Sequence, residues 1–194
     1  MNAILLAGGE SSRFGSNKAF VEINNQLMVE KIVKKLNNYF ANIYLVVQNK
    51  DNYSFLEEDV IIVEDLIPGI GPLGGLYTGL KFSDQEKNYL TACDMPFLEA
   101  NYISYLKNFE KDYDALVGKY KGYFEPFASV YDKKVIKVIE KKLDLGKRKI
   151  TDFYDDINLE IISEKKIKKL ADPEKIYFNI NYKSDLEKIN KFCS

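Results

Sequence analysis

A glycine-rich stretch near the N-terminus contains the residues best suited to bind a phosphate group. It spans residues 6–18, reads LAGGESSRFGSNK, and continues the apolar run AILL, which predicts a buried strand. Gly8 and Gly9 have no Cβ atom to hold an anion away, so their backbone N–H groups are accessible to it. Arg13 and Lys18 add two positive charges to the same loop. The combination predicts a cradle for a triphosphate, with a flexible turn as the alternative.

The loop differs in spacing from the Walker A motif, in which Gly and four further residues precede Gly-Lys-Ser/Thr. Here five residues separate Gly9 from Gly15, and two more precede Lys18. The stretch is therefore not a P-loop of that type.

A dinucleotide-binding fingerprint, GxGxxG, is matched in spacing by Gly69, Gly71 and Gly74. We disfavour this interpretation because residues 65–68 separate the glycines from the preceding predicted strand. Pro72 also removes a backbone N–H from the middle of the supposed pyrophosphate turn. The same residues fit better as a rigid loop that opens a helix.

The residue types that the chain lacks exclude several catalytic mechanisms and kinds of metal site. The chain has no histidine and only two cysteines, Cys93 and Cys193, which excludes Ser-His-Asp or Cys-His catalysis and a histidine-based or four-cysteine zinc site. Catalysis must therefore use carboxylates, Lys, Arg, backbone amides and a hard cation such as Mg²⁺. This set suits phosphoryl or nucleotidyl transfer.

Length and periodicity predict one α/β domain over residues 1–194. Short apolar runs typical of buried strands alternate with segments of helical period. No apolar run is long enough for a membrane span and no signal peptide is recognised, so we expect a cytoplasmic protein. The predicted strands are 3–6, 43–47, 60–63, 88–92, 114–118, 124–131 and a short one near 177–181; the predicted helices are 26–40, 99–109, 133–143, one opening near residue 72 and one after residue 184.

Polar residues follow three of these strands. In open α/β sheets ligands bind at the carboxyl ends of strands, so Asn49, Asp65 and Asp94 are candidates for ligand contacts. Asp94 is the strongest because it ends a buried strand and precedes a proline, which suits a carboxylate that holds a metal ion. In each case a turn or strand-end residue without a ligand is the alternative.

The motifs together resemble the molybdenum cofactor guanylyltransferases, which belong to the Rossmann-like nucleotidyltransferases and transfer GMP from GTP to molybdopterin. The resemblance is carried by LAGGESSRFGSNKA, by GPLGG at 71–75 and by CDMPF at 93–97. It implies a three-layer αβα domain with a mostly parallel sheet, Mg²⁺ as cofactor and metal binding by Asp94. The implied catalytic residues are Arg13, Lys18 and Asp94. The nucleotide-binding candidates are Leu6, Ala7, Gly8, Gly9, Lys18, Asn49, Asp65, Gly71, Pro72, Leu73 and Asp94.

The resemblance also implies an acceptor-binding half. Residues 1–100 would bind nucleotide and metal, and residues 101–194 would bind the molybdopterin phosphate. The EPF segment at 125–127, GKR at 146–148 and the NIN segment at 179–181 match acceptor motifs of the family. The implied contacts are Glu125, Arg148, Asn179 and Asn181. The chain departs from the family pattern at Phe14, Asn17, Tyr182 and Lys183.

Other functions remain open at this point. Molybdopterin cytidylyltransferases use CTP, although Gly8 stands where that branch tends to have alanine. A sugar- or polyol-phosphate nucleotidyltransferase would share the fold, and a non-catalytic nucleotide-binding adaptor would share the loop. Residues 133–149 hold eight basic side chains, which indicate a solvated helix face or a surface for a phosphorylated acceptor or an acidic partner. Transient contact with cofactor-biosynthesis proteins or apo-molybdoenzymes is also expected, and contact with nucleic acid or membrane is not.

Overall fold

The computed structural model describes residues 1–7, 18–22, 25–182 and 184–185, and these form a seven-stranded sheet with helices on both faces. The strands are β1 Asn2–Leu6, β2 Ile43–Val47, β3 Ile61–Glu64, β4 Lys87–Ala92, β5 Ala115–Tyr120, β6 Tyr123–Asp132 and β7 Leu159–Ile162. The α-helices are α1 Met28–Leu36, α2 Pro72–Phe82, α3 Ala100–Lys107, α4 Ile136–Asp144, α5 Glu164–Leu170 and α6 Pro173–Ile176. Short 3₁₀ helices cover Lys18–Phe20, Lys50–Leu56, Lys133–Val135 and Ile150–Asp156.

The strand order is β3-β2-β1-β4-β6-β5-β7, and β6 alone among these strands runs antiparallel to its neighbours. The carboxyl ends of β1 to β4 therefore meet at one edge of the sheet. This arrangement confirms the predicted α/β class with a mostly parallel sheet. It also places the carboxyl ends of β1 and β4 side by side, because these two strands are adjacent at the centre.

Helix α2 packs close to β1 because two of its three glycines, Gly75 and Gly79, face that strand. A Cβ atom on Gly79 would lie 2.4 Å from Cγ2 of Ile4, and one on Gly75 would lie 2.9 Å from Cδ1 of Leu6. On the opposite face, the ring of Tyr89 in β4 stacks on Phe40 after α1, at 5.2 Å between centroids. Both faces of the central strands are thus covered, and the core lies on either side of β1 and β4.

Strand β6 is interrupted where the sequence has Pro126. Proline cannot donate a ladder hydrogen bond, and the pairing of β6 with β5 shifts register in this region. Ala128 has a positive φ of 51°, and the hydroxyl of Ser129 donates to the carbonyl of Glu125 at 2.8 Å. The distortion bends the strand at the point where it passes the carboxyl end of β4.

The C-terminal part of the chain differs from the expectations, because β7, α5 and α6 were not predicted and one predicted strand is absent from the described residues. β7 was missed because it is a four-residue edge strand with little alternation, and α5 directly follows it. The strand predicted near 177–181 is wrong, since this segment is irregular and its Ile180 N–H donates to the carbonyl of Asp94 rather than to a ladder (2.9 Å). The helix expected after residue 184 lies largely outside the described residues. None of the helices in the described ranges has the length and apolar character to cross a membrane.

Candidate active site

Three polar side chains from distant parts of the chain converge at the carboxyl edge of the sheet. The ammonium group of Lys18 donates to Oδ2 of Asp94 at 3.0 Å and to Oδ1 of Asn181 at 2.9 Å. The side chains of Lys18 and Asp94 are 16% and 24% exposed, so the ion pair is partly withdrawn from water but remains open to a ligand. The result is a small polar centre with a cation, an anion and an amide.

The strand ends bring these groups together. β1 and β4 are paired, and the Cys93 N–H extends the ladder by donating to the carbonyl of Leu6 at 2.9 Å. The chain then turns, because Met95 N–H donates back to the carbonyl of Ala92 at 3.1 Å, and Asp94 lies in that turn. The parallel pairing of β1 and β4 thus sets the carboxylate beside the end of the glycine-rich loop.

Tyr53 fixes one end of the glycine-rich loop and packs beside the other. Its hydroxyl donates to the carbonyl of Ala7 at 3.0 Å, directly before the loop. Its ring packs against Phe20, just after the loop, with 5.0 Å between ring centroids. Ala7 also continues the sheet through an N–H bond to Val46, 3.0 Å long. The predicted contacts of Gly8, Gly9 and Arg13, and the departures at Phe14 and Asn17, lie outside the described residues, and their roles stay predictions.

Asp65 connects the segment before α2 to the middle of that helix. Its Oδ1 accepts from the buried hydroxyl of Thr78 at 2.8 Å and from the N–H of Ile67 at 3.2 Å. The Thr78 hydroxyl in turn accepts from the N–H of Leu66 at 3.1 Å. These contacts give Asp65 a positioning role within the described residues, and the nucleotide contact expected of it stays a prediction.

The loop opened by Gly71 has the rigid form expected from its sequence. Gly71 is the N-cap of α2 with φ of 85°, a conformation that favours glycine, and Pro72 occupies the first helical turn. Leu73 is fully buried and anchors this turn in the core. Gly74 lies inside α2, where a Cβ atom would meet the Ile67 carbonyl at 3.2 Å, so packing accounts for this glycine.

Asn49 lies at the carboxyl end of β2 and caps the 3₁₀ helix Lys50–Leu56. Its Oδ1 accepts from the N–H of Asp51 at 2.9 Å, and the residue is exposed. The turn role considered from the sequence is therefore present. A contact to a ribose or base stays a prediction.

The acceptor-side candidates are not all in one place. Asn181 contacts Lys18 directly, whereas Asn179 is exposed two residues earlier. Glu125 lies on β6 opposite Gly118 of β5, and burial raises the pKa of its carboxyl group to about 7. Arg148 precedes the 3₁₀ helix Ile150–Asp156, and its N–H donates to Asp152 at 3.2 Å. That helix packs against α2, α4 and β6, so the described contacts do not bring Arg148 to Lys18.

Cys93 is unsuited to nucleophilic catalysis. The residue is buried, and burial together with the neighbouring Asp94 raises the pKa of its thiol to about 12. A thiol in this state is almost entirely protonated at neutral pH. This agrees with the expectation that Cys93 is a small core residue.

A hydroxyl contact behind the site was missed by sequence reasoning. Tyr177 and Tyr102 place their hydroxyl oxygens 2.9 Å apart, and the Tyr177 hydroxyl fills the space above Gly118. A glycine inside a strand is a known signal of close approach by another group. Gly118 could therefore have been noted, although its partner could not be read from the sequence.

The donor set at Asp94 suits a divalent cation that takes most of its ligands from bound phosphates and water. In the described ranges there is no group of three His, Cys, Asp or Glu side chains that would enclose a metal. Mg²⁺ is commonly held by one or two carboxylates together with substrate phosphates and water. Asp94 supplies such a carboxylate at the sheet edge, and its Oδ1 accepts no hydrogen bond from a described residue.

Comparison with known proteins agrees with this geometry. Residues 3–159 match the family described as "MobA-like NTP transferase domain". The chain belongs to the MobA-like NTP transferase family. A protein of Carboxydothermus hydrogenoformans named "Probable molybdenum cofactor guanylyltransferase" is 38% identical over 194 residues, covering 100% of this chain and 97% of that protein. A protein of the same name from Pelotomaculum thermopropionicum is 34% identical, covering 95% of this chain and 89% of the relative.

A solved MobA-like structure extends the agreement to the whole fold. The molybdopterin-guanine dinucleotide biosynthesis protein A of Archaeoglobus fulgidus superposes with a TM-score of 0.85 at 25% identity, covering 100% of this chain and 98% of the other. The three-layer nucleotidyltransferase fold expected from the motifs is therefore confirmed. The chain is a nucleotidyltransferase of this family.

Proposed function

We propose that this protein transfers GMP from GTP to the terminal phosphate of molybdopterin, with release of pyrophosphate. The observation that carries the proposal is the convergence of Lys18, Asp94 and Asn181 at the carboxyl edge of the sheet. The MobA-like family and the names of its relatives support the choice of GTP and molybdopterin. The first half of the chain, residues 1–100, supplies the nucleotide site, and residues 101–194 supply the acceptor site.

The reaction needs no protein nucleophile. An oxygen of the acceptor phosphate attacks the α-phosphorus of GTP and forms a new P–O bond. The bond between the α-phosphorus and the bridging oxygen to the β-phosphorus breaks, and pyrophosphate leaves with its electron pair. The protein contributes positioning and neutralisation of charge, which are the main sources of catalysis in transfers of this kind.

Lys18 supplies positive charge where negative charge accumulates. Its ammonium group has three donors, of which two contact Asp94 and Asn181, so a third is left to meet a phosphate oxygen. Because the side chain is only 16% exposed, its charge acts with less screening than a surface lysine. The predicted amides of Gly8 and Gly9 and the Arg13 side chain complete the phosphate site in this proposal.

Asp94 would hold the divalent cation, which we propose is Mg²⁺. When bound, the cation supplies charge neutralisation on the phosphates of the nucleotide. Asp94 contributes a carboxylate whose backbone is fixed by the turn after β4. The Ile180 N–H also donates to the backbone carbonyl of Asp94 at 2.9 Å. The side chain therefore needs little reorganisation to accept a ligand.

Asn181 connects the acceptor half to the nucleotide half. Its side-chain oxygen Oδ1 accepts from the ammonium group of Lys18, and its backbone N–H donates to the carboxylate of Asp185 at 2.9 Å. An amide side chain in this place is suited to orient an acceptor phosphate beside Lys18. Glu125, Asn179 and Arg148 are further acceptor contacts in the proposal.

Calorimetric binding of nucleotides tests the proposal. We expect GTP to bind the wild-type protein in the presence of Mg²⁺, more tightly than CTP or ATP, and Asp94→Asn to abolish the Mg²⁺ dependence. The matched control is Asp132→Asn, because Asp132 forms a similar ion pair with Lys87 (2.9 Å) at the opposite end of β4. This control should bind GTP as the wild type does. Tighter binding of CTP would overturn the choice of base, and equal effects of the two substitutions would overturn the role of Asp94.

A further inference from the structure

The Tyr177 hydroxyl occupies a slot in the sheet that only a glycine leaves open. A Cβ atom built on Gly118 of β5 would lie 2.0 Å from the Tyr177 hydroxyl oxygen, far inside van der Waals contact. The φ angle of Gly118 lies outside the left-handed region, so space rather than backbone conformation accounts for this glycine. The slot and the hydroxyl therefore form a matched pair.

Neighbouring aromatic residues hold Tyr177 in this slot. The hydroxyl of Tyr102 in α3 lies 2.9 Å from that of Tyr177, and Tyr102 is 1% exposed. The two rings meet edge to face at 87°, with centroids 6.4 Å apart. The ring of Tyr120 approaches Tyr177 from β5 with 6.0 Å between centroids. Since the partners belong to α3 and β5, Tyr177 is fixed to the rigid part of the fold.

The segment after Tyr177 reaches the candidate active site without regular secondary structure. Three residues later, the Ile180 N–H donates to the Asp94 carbonyl at 2.9 Å. The next residue, Asn181, accepts from Lys18 at 2.9 Å. Downstream, the Asp185 carboxylate accepts from the Asn181 N–H at 2.9 Å. The segment is thus held at both ends, and Tyr177 is the upstream anchor.

We propose that Tyr177, seated above Gly118 against Tyr102, is a positioning residue that places Asn181 on Lys18. Its effect on the reaction passes through Asn181, because Tyr177 itself contacts neither Lys18 nor Asp94. This inference deepens the proposed function and rests on it only where a catalytic rate is concerned. The structural part is independent of the substrates.

Hydrogen exchange at the Ile180 amide tests the structural part without any substrate. We expect Gly118→Ala to displace the Tyr177 hydroxyl and raise the exchange rate of this amide more than about tenfold. Tyr177→Phe, which keeps the ring and loses one buried hydrogen bond, should raise it about fivefold. The control is Ser83→Ala, which removes a buried hydroxyl bonded to Asn2 and Asn88 at the opposite edge of the sheet and should leave Ile180 unchanged.

A double variant makes this test sharper. The double variant combines Gly118→Ala with Tyr177→Phe and so lacks the hydroxyl oxygen that would lie 2.0 Å from the new Cβ atom. The nearest remaining atoms to that Cβ are Cζ of residue 177 at 3.1 Å and the Tyr102 hydroxyl oxygen at 3.2 Å. We therefore expect the double variant to protect the Ile180 amide better than Gly118→Ala alone. If Gly118→Ala leaves the amide as protected as in wild type, or if the second substitution worsens its exchange, the slot does not position the segment.

Kinetics test whether the anchor acts through Asn181. In the wild-type background we expect Tyr177→Phe to lower kcat about fivefold, whereas in an Asn181→Ala background it should cause no further loss. A purely structural role would give the same loss in both backgrounds and would overturn the proposal. Failure of the proposed function is distinguishable, because a wild-type protein that does not transfer GMP would still show the exchange effects at Ile180.

Discussion

Replacing Lys18 by methionine removes the ammonium group but keeps an unbranched side chain of similar length. The substitution breaks the hydrogen bonds to Asp94 at 3.0 Å and to Asn181 at 2.9 Å. The Asp94 side chain is 24% exposed, so water reaches its carboxylate in the variant. We therefore expect the free energy of unfolding to fall by only about 1 kcal/mol. For a chain of this size the melting temperature should fall by about 2–4 °C.

The expected effect of this substitution on catalysis is much larger. In the proposed reaction Lys18 faces charge that develops on the phosphates in the transition state. Removing one such donor should lower kcat by roughly 10²–10³, or about 2.7–4 kcal/mol. Pyrophosphate release from GTP with molybdopterin as acceptor measures this rate, and thermal unfolding of the same samples measures stability. The rise in the activation free energy of the reaction should exceed the loss in the free energy of unfolding by about 2 kcal/mol or more.

Lys87→Met is the matched control for the Lys18 substitution. Lys87 pairs with Asp132 at 2.9 Å, and the Asp132 side chain is only 3% exposed. Breaking this pair leaves a buried charge and should cost about 3 kcal/mol of stability, more than the Lys18 substitution. Because the pair lies at the opposite end of β4, kcat should remain close to the wild-type value. A Lys18→Met protein with a near-normal rate would refute the catalytic role of Lys18.

Three further predictions concern the packing and the electrostatics. Gly79→Ala should lower the free energy of unfolding in urea by about 3 kcal/mol, since its Cβ would lie 2.4 Å from Ile4, and Ile4→Ala in the same chain should recover part of the loss. Thr78→Val removes two hydrogen bonds at Asp65 and Leu66 and should cost about 2 kcal/mol in the same measurement. Burial raises the pKa of Glu125 from 4.5 to about 7, so the folded protein favours the protonated carboxyl group. The contribution of this group to the free energy of unfolding is therefore fully present below pH 4.5 and is lost as pH rises through 7. Glu125→Gln stays neutral at every pH, so thermal unfolding at pH 8 should show it more stable than wild type by on the order of 1 kcal/mol, a figure reduced for partial exposure of the group. At pH 4 the two proteins should be equally stable.

The central part of the fold was predictable because local patterns determine it. β1 and β4 are largely apolar runs followed by glycine or polar residues. Both the presence of these strands and the positions of their carboxyl ends therefore follow from the sequence. Because ligands bind at the carboxyl ends of parallel strands, both Asp94 and the glycine-rich loop could be assigned to that edge. The direct pairing of β1 with β4, which makes them neighbours, was not predictable from local pattern. β7 was not predictable in this way, because its four residues gain their stability from pairing with β5.

The site was only partly predictable because its contacts join distant residues. Asn181 was identified from a motif as an acceptor contact, but its bond to Lys18 joins residues 163 positions apart. Asp65 was predicted to contact nucleotide, and its visible partners are Thr78 and the backbone before α2. Local pattern shows that Asp65 and Asp94 follow the ends of strands, but it does not place Asn181. Which atoms they contact depends on tertiary packing.

The fate of the α-phosphate of GTP is the most direct measurement of the proposed function. The protein would be incubated with molybdopterin, Mg²⁺ and GTP labelled at the α-phosphorus, with a parallel reaction labelled at the γ-phosphorus. We expect the α-label to appear in the acceptor product and the γ-label in pyrophosphate, in equal amounts. Release of orthophosphate without transfer of the α-label, or transfer from CTP in preference to GTP, would contradict guanylyl transfer.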